Sequence, residues 1–171
     1  IEMAAASGLT LLKPEERNPL VTTTLGTGEL IADALRRNVK TIILGIGGSA
    51  TNDAGIGMAT ALGYKFCDAE EKTLSPTGEN LIHIRYIDST SMDPQLNLVT
   101  FVALCDVTNP LYGPEGAAFV YGPQKGAGKE AKLCFGAHAL MENRNGLLAA
   151  IDIHNPIEIS EADMALEQME T

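Results

Sequence analysis

The segment of residues 45–53 carries the residue types best suited to chemistry in this sequence. Gly47 and Gly48 follow an apolar run, and paired glycines let a backbone approach a ligand closely and direct N–H groups at an anion. Hydrogen-bonding side chains and one carboxylate follow at Ser49, Thr51, Asn52 and Asp53. Hydrogen-bond donors next to one carboxylate could bind a phosphate group together with its metal ion. Alternatively, the carboxylate could act as a base toward a substrate hydroxyl. A plain strand-to-helix turn capped by Asn52 or Asp53 is the alternative that the loop alone leaves open.

Three further features could contribute to the same chemistry. Residues 22–28 hold three threonines and two glycines before a helical pattern, which indicates either a second cradle for an anion or a capping turn. Asp106 ends an apolar run, the position at which open α/β sheets place ligands. Lys125 is a lone cation in a Gly-Pro-Gln-Lys-Gly loop, suited to a phosphate or carboxylate. Taken singly, Asp106 and Lys125 are also explained as solvated side chains.

Two nucleotide-binding motifs can be compared with the glycine segment. Gly45, Gly47 and Ala50 nearly match the fingerprint of NAD(P)-type dinucleotide-binding domains, and Asp68 lies near the expected distance. Against that alternative, residues 51–53 stand where the helix should already run, and an acid there would face the pyrophosphate. The phosphate-binding loop with a Gly-Lys-Ser/Thr end is absent, because Glu130 follows Gly128-Lys129.

The elements that would position these residues alternate between strand and helix. Residues 40–46 and 98–104 are apolar, β-branched runs that predict buried strands, and residues 64–68 could form a short one. Residues 3–12 predict a short helix and a turn, with Ser7-Gly8 as an early stop. Helical patterns cover residues 29–37 and 54–62, with Thr27 as the expected N-cap of the first of these, and the type of residues 81–87 stays open. This order predicts an α/β layered fold.

Composition limits the classes of function. A net charge of −10 without any Lys/Arg-rich block disfavours nucleic acids and anionic membranes as partners. No apolar run approaches the roughly 18 residues of a membrane span. The three cysteines are widely spaced in apolar contexts, which is typical of buried free thiols and a cytoplasmic location.

Four separated blocks resemble the bacterial type I glycerate kinases, and they extend from residue 1 to about residue 127. They are residues 2–9, residues 17–31 with Arg-Asn-Pro-Leu and Thr-Thr-Thr, residues 45–53, and residues 105–127 with Cys-Asp-Val and Gly-Pro-Gln-Lys-Gly-Ala. The resemblance implies part of a fold in which two α/β domains face each other across a cleft. It also implies phosphorylation of D-glycerate by ATP with Mg²⁺. Ala54 and Tyr121 depart slightly from the family, and its amino-terminal and carboxy-terminal portions are missing.

The family resemblance suggests roles for the matching positions. Gly47, Gly48, Ser49 and Thr51, with Asn52 beside them, are expected to bind phosphate or the glycerate carboxylate. Asp53, or else Asp106, would act as the base or the carboxylate on the metal side. Lys125 would neutralise phosphate charge, while Thr24 and Thr27 would position the acid.

Residues 128–171 differ in texture from the preceding part and resemble insertion-sequence transposases of the acidic-triad type. Asn145-Gly146 predicts a β-hairpin over residues 133–153, and a Ser160…Asp163 cap predicts a helix over residues 160–169. The sequence therefore suggests that a mobile element interrupted a kinase gene, so that the chain is truncated and chimeric. The alternative interpretation is that such a chain is a non-catalytic remnant. Exposed sheet at the truncated ends would favour self-association.

Overall fold

The computed structural model describes residues 1–105, 107–109 and 115–128. Its helices are α1 (Ala4–Ser7), α2 (Leu25–Arg36), α3 (Ile56–Ala61) and α4 (Ala117–Tyr121). Its strands are β1 (Thr41–Gly45), β2 (Lys65–Cys67), β3 (Tyr86–Asp88) and β4 (Thr100–Leu104). Short 3₁₀ turns lie at Leu9–Leu11, Pro14–Glu16, Gly78–His83, Pro94–Leu98 and Pro123–Lys125. The α/β class predicted from the sequence is confirmed.

Strands β1 and β4 form a two-stranded parallel sheet that places the glycine segment. Their register runs from Thr41 opposite Thr100 to Gly45 opposite Leu104. Because parallel strands end at the same edge of a sheet, the segments that follow β1 and β4 begin side by side. Strands β2 and β3 form a separate antiparallel pair.

One face of the parallel sheet is buried and the other is open. Ile42 and Leu44 of β1 point into the core, where they are almost fully buried. On the opposite face Ile43 is 51% exposed and Leu104 is 57% exposed. The prediction of two buried strands is therefore wrong for β4, because no described element covers the outer face of the sheet.

Helices α2 and α3 pack closely and supply much of the core. Ile31 and Leu35 of α2 and Ile56 of α3 are buried apolar side chains of this core. The approach depends on Gly28, because a Cβ atom there would lie 2.4 Å from the backbone oxygen of Met58. This contact brings the beginnings of both helices beside the glycine segment.

Several local predictions need correction. Helix α2 begins at Leu25 with Thr24 in the cap position, so Thr27 lies inside the helix rather than at its cap. The short helix and turn expected over residues 3–12 are confirmed as α1 followed by a 3₁₀ turn. Residues 81–87, left open, end the Gly78–His83 turn and begin β3. The predicted hairpin and helix of the tail lie outside the described residues. Among the described helices, none has the length and apolar character of a membrane span.

Candidate functional site

The glycine segment after β1 is anchored on one side and open on the other. Gly48 O accepts a hydrogen bond from Leu9 N at 2.9 Å, and Ala50 N donates to Ser7 O at 2.8 Å. Gly48 adopts a left-handed backbone with φ of 69°, which favours glycine at this position. Gly47 faces open space, since a Cβ atom built there would meet nothing within 4 Å. The backbone at this pair can therefore be approached by a ligand.

Five backbone N–H groups of the segment have no acceptor in the part of the chain that the structure describes; they belong to Gly47, Gly48, Ser49, Asn52 and Asp53. Backbone donors are almost always paired, with protein, water or a ligand. Successive unpaired N–H groups on a turn form a concave site for anions. The segment thus has the donors that a phosphate or carboxylate group requires.

The polar side chains of the segment differ in how far a ligand could reach them. Ser49 Oγ and Thr51 Oγ1 are hydrogen-bonded at 2.7 Å, and Thr51 is only 5% exposed. Asn52 is half-buried, and its side-chain amide has no partner among the described residues. Asn52 and Ser49 are therefore the side chains of this segment most available to a ligand.

Asp53 is buried and fully engaged by the protein. Its side chain is 1% exposed. Oδ2 accepts hydrogen bonds from Thr24 N at 2.7 Å, Thr24 Oγ1 at 2.8 Å and Gly57 N at 3.2 Å. Oδ1 accepts one from Gly55 N at 3.1 Å. This carboxylate ties the beginning of α2 to the beginning of α3, a geometry that favours positioning over direct contact with a substrate or metal ion.

The two threonines expected to position the acid occupy different places. Thr24 is 2% exposed and contacts Asp53 directly, while its Oγ1 also accepts a hydrogen bond from Met58 N at 2.9 Å. Thr27 is fully buried one turn further along α2, where its hydroxyl is hydrogen-bonded to Ser7 at 2.8 Å. The structure therefore brings Thr24 to Asp53 and places Thr27 on the contact between α1 and α2.

Lys125 reaches the glycine segment from the far end of the described chain. Its Nζ donates a hydrogen bond to Thr51 O at 2.6 Å. Burial lowers the pKa of this ammonium group, and the charge of Asp53 partly opposes that shift. A half-buried cation beside open N–H groups can neutralise the charge of an anion with less solvent screening than at an exposed site. Asp106 lies outside the described residues.

Arg17 is a neighbour of the site that was not among the predicted residues. Its Nη2 lies 3.5 Å from Leu9 O, and its Nε is buried with no hydrogen-bond partner among the residues that the structure describes. Gly126 packs against the Arg17 backbone, because a Cβ atom there would lie 2.0 Å from Arg17 O. The only sequence signal was the position of Arg17 in the Arg-Asn-Pro-Leu block.

The donor set fits anions better than it fits a metal ion. Within the described ranges, no group of three or more His, Cys, Asp or Glu residues could hold a metal. Asp53 does not fit Mg²⁺, since both its oxygens already accept hydrogen bonds from the protein. The open N–H groups and Lys125 do fit the phosphates of ATP or a substrate carboxylate.

These features define an α/β protein in which a glycine segment with open backbone N–H groups follows a parallel strand. The model of the glycerate kinase family matches residues 1–143, and the chain belongs to that family. The match continues beyond residue 127, where the kinase-like part was predicted to end. Membership favours the kinase interpretation over the dinucleotide-binding alternative.

Named relatives agree with the family assignment. The chain is 55% identical over 130 residues to the glycerate kinase of Haemophilus influenzae, covering 76% of this chain and 34% of that one. It is 54% identical over 127 residues to the glycerate 2-kinase of Escherichia coli K12, covering 74% and 33%. A crystal structure assigned as glycerate kinase 2 from Salmonella typhimurium LT2 superposes with a TM-score of 0.79 at 47% identity, covering 90% and 41%. The chain thus spans about one third of the length of these curated relatives.

Proposed function

We propose that this chain supplies the anion-binding part of a glycerate kinase, which transfers the terminal phosphoryl group of ATP to D-glycerate. A hydroxyl oxygen of glycerate forms the new O–P bond, the bond to the ADP oxygen breaks, and the hydroxyl proton leaves to a base or solvent. The products are phosphoglycerate and ADP. The observation that carries the proposal is the set of open N–H groups at Gly47 and Gly48 beside Lys125.

The residues of the site act mainly by binding and orientation. Catalysis of phosphoryl transfer depends on positioning and on stabilising charge, so preorganised N–H donors and a cation are its central parts. The N–H groups of Gly47 and Gly48 would receive the anion, and Lys125 would offset its charge. Asn52 would orient the ligand through its free amide. Asp53 would hold the segment in place, which leaves the role of proton acceptor to Asp106 in this proposal.

Mg²⁺ would enter together with the nucleotide. The ion supplies charge neutralisation on the phosphates when it is bound, usually through one or two carboxylates and the phosphate oxygens. Of the two positions expected as the base or as the carboxylate on the metal side, Asp53 is held by the protein, so Asp106 is the one that remains for either role.

The test measures both binding and turnover on the 171-residue chain. Calorimetric titration with ADP and with D-glycerate, and D-glycerate-dependent ADP release from Mg–ATP, would be compared for the native chain and Gly47→Ala. A methyl group at Gly47 fills the open space over the N–H groups, so we expect weaker binding of an anion. Gly128→Ala is the matched control, because a Cβ atom at Gly128 also meets nothing within 4 Å. A folded chain that binds neither ADP nor D-glycerate, or that binds only a dinucleotide such as NAD, would refute the proposal.

We also propose that the chain associates with itself through the open face of the parallel sheet. Exposed apolar side chains at Ile43, Val102 and Leu104 support this proposal, because water-exposed apolar sheet surface favours pairing. Sedimentation of the chain and of Val102→Lys would test it. A native chain that stays monomeric at high concentration would contradict it.

For residues 128–171 we retain the proposal that they derive from a transposase gene that interrupted a kinase gene, which makes the chain chimeric. The change in texture near residue 127 supports it. An uninterrupted kinase gene in the flanking DNA would contradict it. A cytoplasmic location is proposed from the free thiols of Cys67 and Cys105 and would be tested by cell fractionation.

A further inference from the structure

Arg17 is a cation that has no anionic partner in the part of the chain that the structure describes. The ion pairs of the described residues join Asp33 to two arginines and Lys65 to Asp88, and none includes Arg17. The one side-chain hydrogen bond of Arg17 within the described ranges, from Nη2 to Leu9 O at 3.5 Å, lies at the outer limit for such a bond. Its Nε is buried and has no acceptor among those residues. A buried donor without an acceptor is unfavourable unless something else supplies one.

The surroundings of Arg17 connect it to the glycine segment by two routes. Leu9, whose carbonyl meets the guanidinium, donates its own N–H to Gly48 O at 2.9 Å. Gly126, which packs on the Arg17 backbone, follows Lys125, whose Nζ holds Thr51 O. Lys125 therefore contacts the segment directly, and Arg17 is connected to it through Leu9 and through Gly126.

We propose that Arg17 is a second cationic binding residue of the site and that it binds an oxyanion, phosphate or carboxylate, beside the open N–H groups of the glycine segment. This inference rests on the proposed function and adds a binding residue to it. A guanidinium group offers two parallel N–H donors whose spacing matches two oxygens of a phosphate or carboxylate. An incoming oxyanion would give the guanidinium group the anionic partner that it lacks among the described residues.

The experiment separates the two sources of the oxyanion. The 171-residue chain and its Arg17→Gln and Arg17→Lys variants would be titrated calorimetrically with ADP and with D-glycerate, in separate series. Arg36→Gln is the matched control, because it removes an equal charge from an exposed side chain that pairs with Asp33. We expect Arg17→Gln to lower the affinity for one of the two anions at least about tenfold, as the loss of a charged hydrogen bond does. The affinity for the other anion should stay within about twofold of the native value. Arg17→Lys should recover part of the loss, since it keeps the charge without the paired donors.

A purely structural role for Arg17 would give a different result. Such a role would lower the thermal stability of both variants and would lower the affinity for both anions equally. The dependence of binding on salt concentration would not change. Loss of a binding cation should instead make affinity for one anion less sensitive to salt. Loss confined to ADP identifies a phosphate ligand, and loss confined to D-glycerate identifies a carboxylate ligand. Unchanged affinity for both anions in Arg17→Gln, or a loss no larger than in Arg36→Gln, would overturn the inference while the proposed function stands. A native chain that binds neither anion would overturn both.

Discussion

Replacement of Asp53 by Asn should destabilise the fold strongly, although the side chain keeps its size. Oδ2 accepts hydrogen bonds from Thr24 N, Thr24 Oγ1 and Gly57 N at 2.7, 2.8 and 3.2 Å. An amide has one carbonyl oxygen, so its NH₂ group must face either these donors or Gly55 N, which bonds Oδ1 at 3.1 Å. Each bond loses roughly 1 kcal/mol when its acceptor becomes neutral, and a buried N–H group without an acceptor costs about 1–3 kcal/mol more. Because such losses are not fully additive, we expect the free energy of unfolding to fall by about 4 kcal/mol.

Urea unfolding followed by circular dichroism measures this loss. A loss of this size is a large fraction of the roughly 5–15 kcal/mol by which an ordinary domain is stable. The unfolding midpoint should therefore move clearly to a lower urea concentration. Asp33→Asn is the control, because Asp33 pairs with Arg37 at 2.8 Å on an exposed face where solvent screens the interaction. Its midpoint should stay close to that of the native chain. If the Asp53→Asn midpoint also stayed there, the buried carboxylate would not be the tie that the hydrogen bonds describe.

Three further outcomes are expected. Gly28→Ala should lower the free energy of unfolding by roughly 3 kcal/mol in the same urea experiment, because the new methyl group would lie 2.4 Å from Met58 O; full stability would contradict the tight helix contact. Gly48→Ala should cost about 1–2 kcal/mol, since its φ of 69° is unfavourable for alanine, and a variant as stable as the native chain would show that the segment relaxes. Burial lowers the pKa of Lys125, so anion affinity measured across a pH series should be retained below that pKa and lost as pH rises through it. Between the lowered pKa of Lys125 in the folded chain and its ordinary pKa in the unfolded chain, the unfolded chain holds the lysine proton more strongly, so the free energy of unfolding should rise with pH. A loss of anion affinity only at the pH where exposed lysines titrate would contradict the lowered pKa.

Much of the layered fold could be predicted from local patterns. The apolar β-branched run of β1 and the helical spacing in α2 identify their elements, because each element must place apolar side chains on one side. The exposure of β4 could not be predicted in the same way. An apolar run shows which residues can be buried, while the element that would cover them is a matter of tertiary structure.

The candidate site was predictable in position more than in roles. Gly47 and Gly48 identified the open segment, and the structure brings Lys125 to it through a hydrogen bond to Thr51 O, while its expected role toward a phosphate stays a prediction. The burial of Asp53 was not visible, because its donors come from Thr24, 29 residues earlier in the chain, and from backbone groups that carry no sequence signal. Arg17 was missed for a related reason, since a single arginine in a loop has no periodicity to mark it.

The carboxylate of Asp53 also has a consequence for how the molecule opens. Since one side chain holds the first turns of both α2 and α3, neither segment can detach without releasing the other. Their amide protons should therefore exchange with solvent in a shared opening reaction, with a common free energy, rather than as two independently fraying ends. The glycine segment lies between the two helices in the chain and would open in the same reaction. A ligand bound to its N–H groups would therefore slow amide hydrogen exchange in both helices at once.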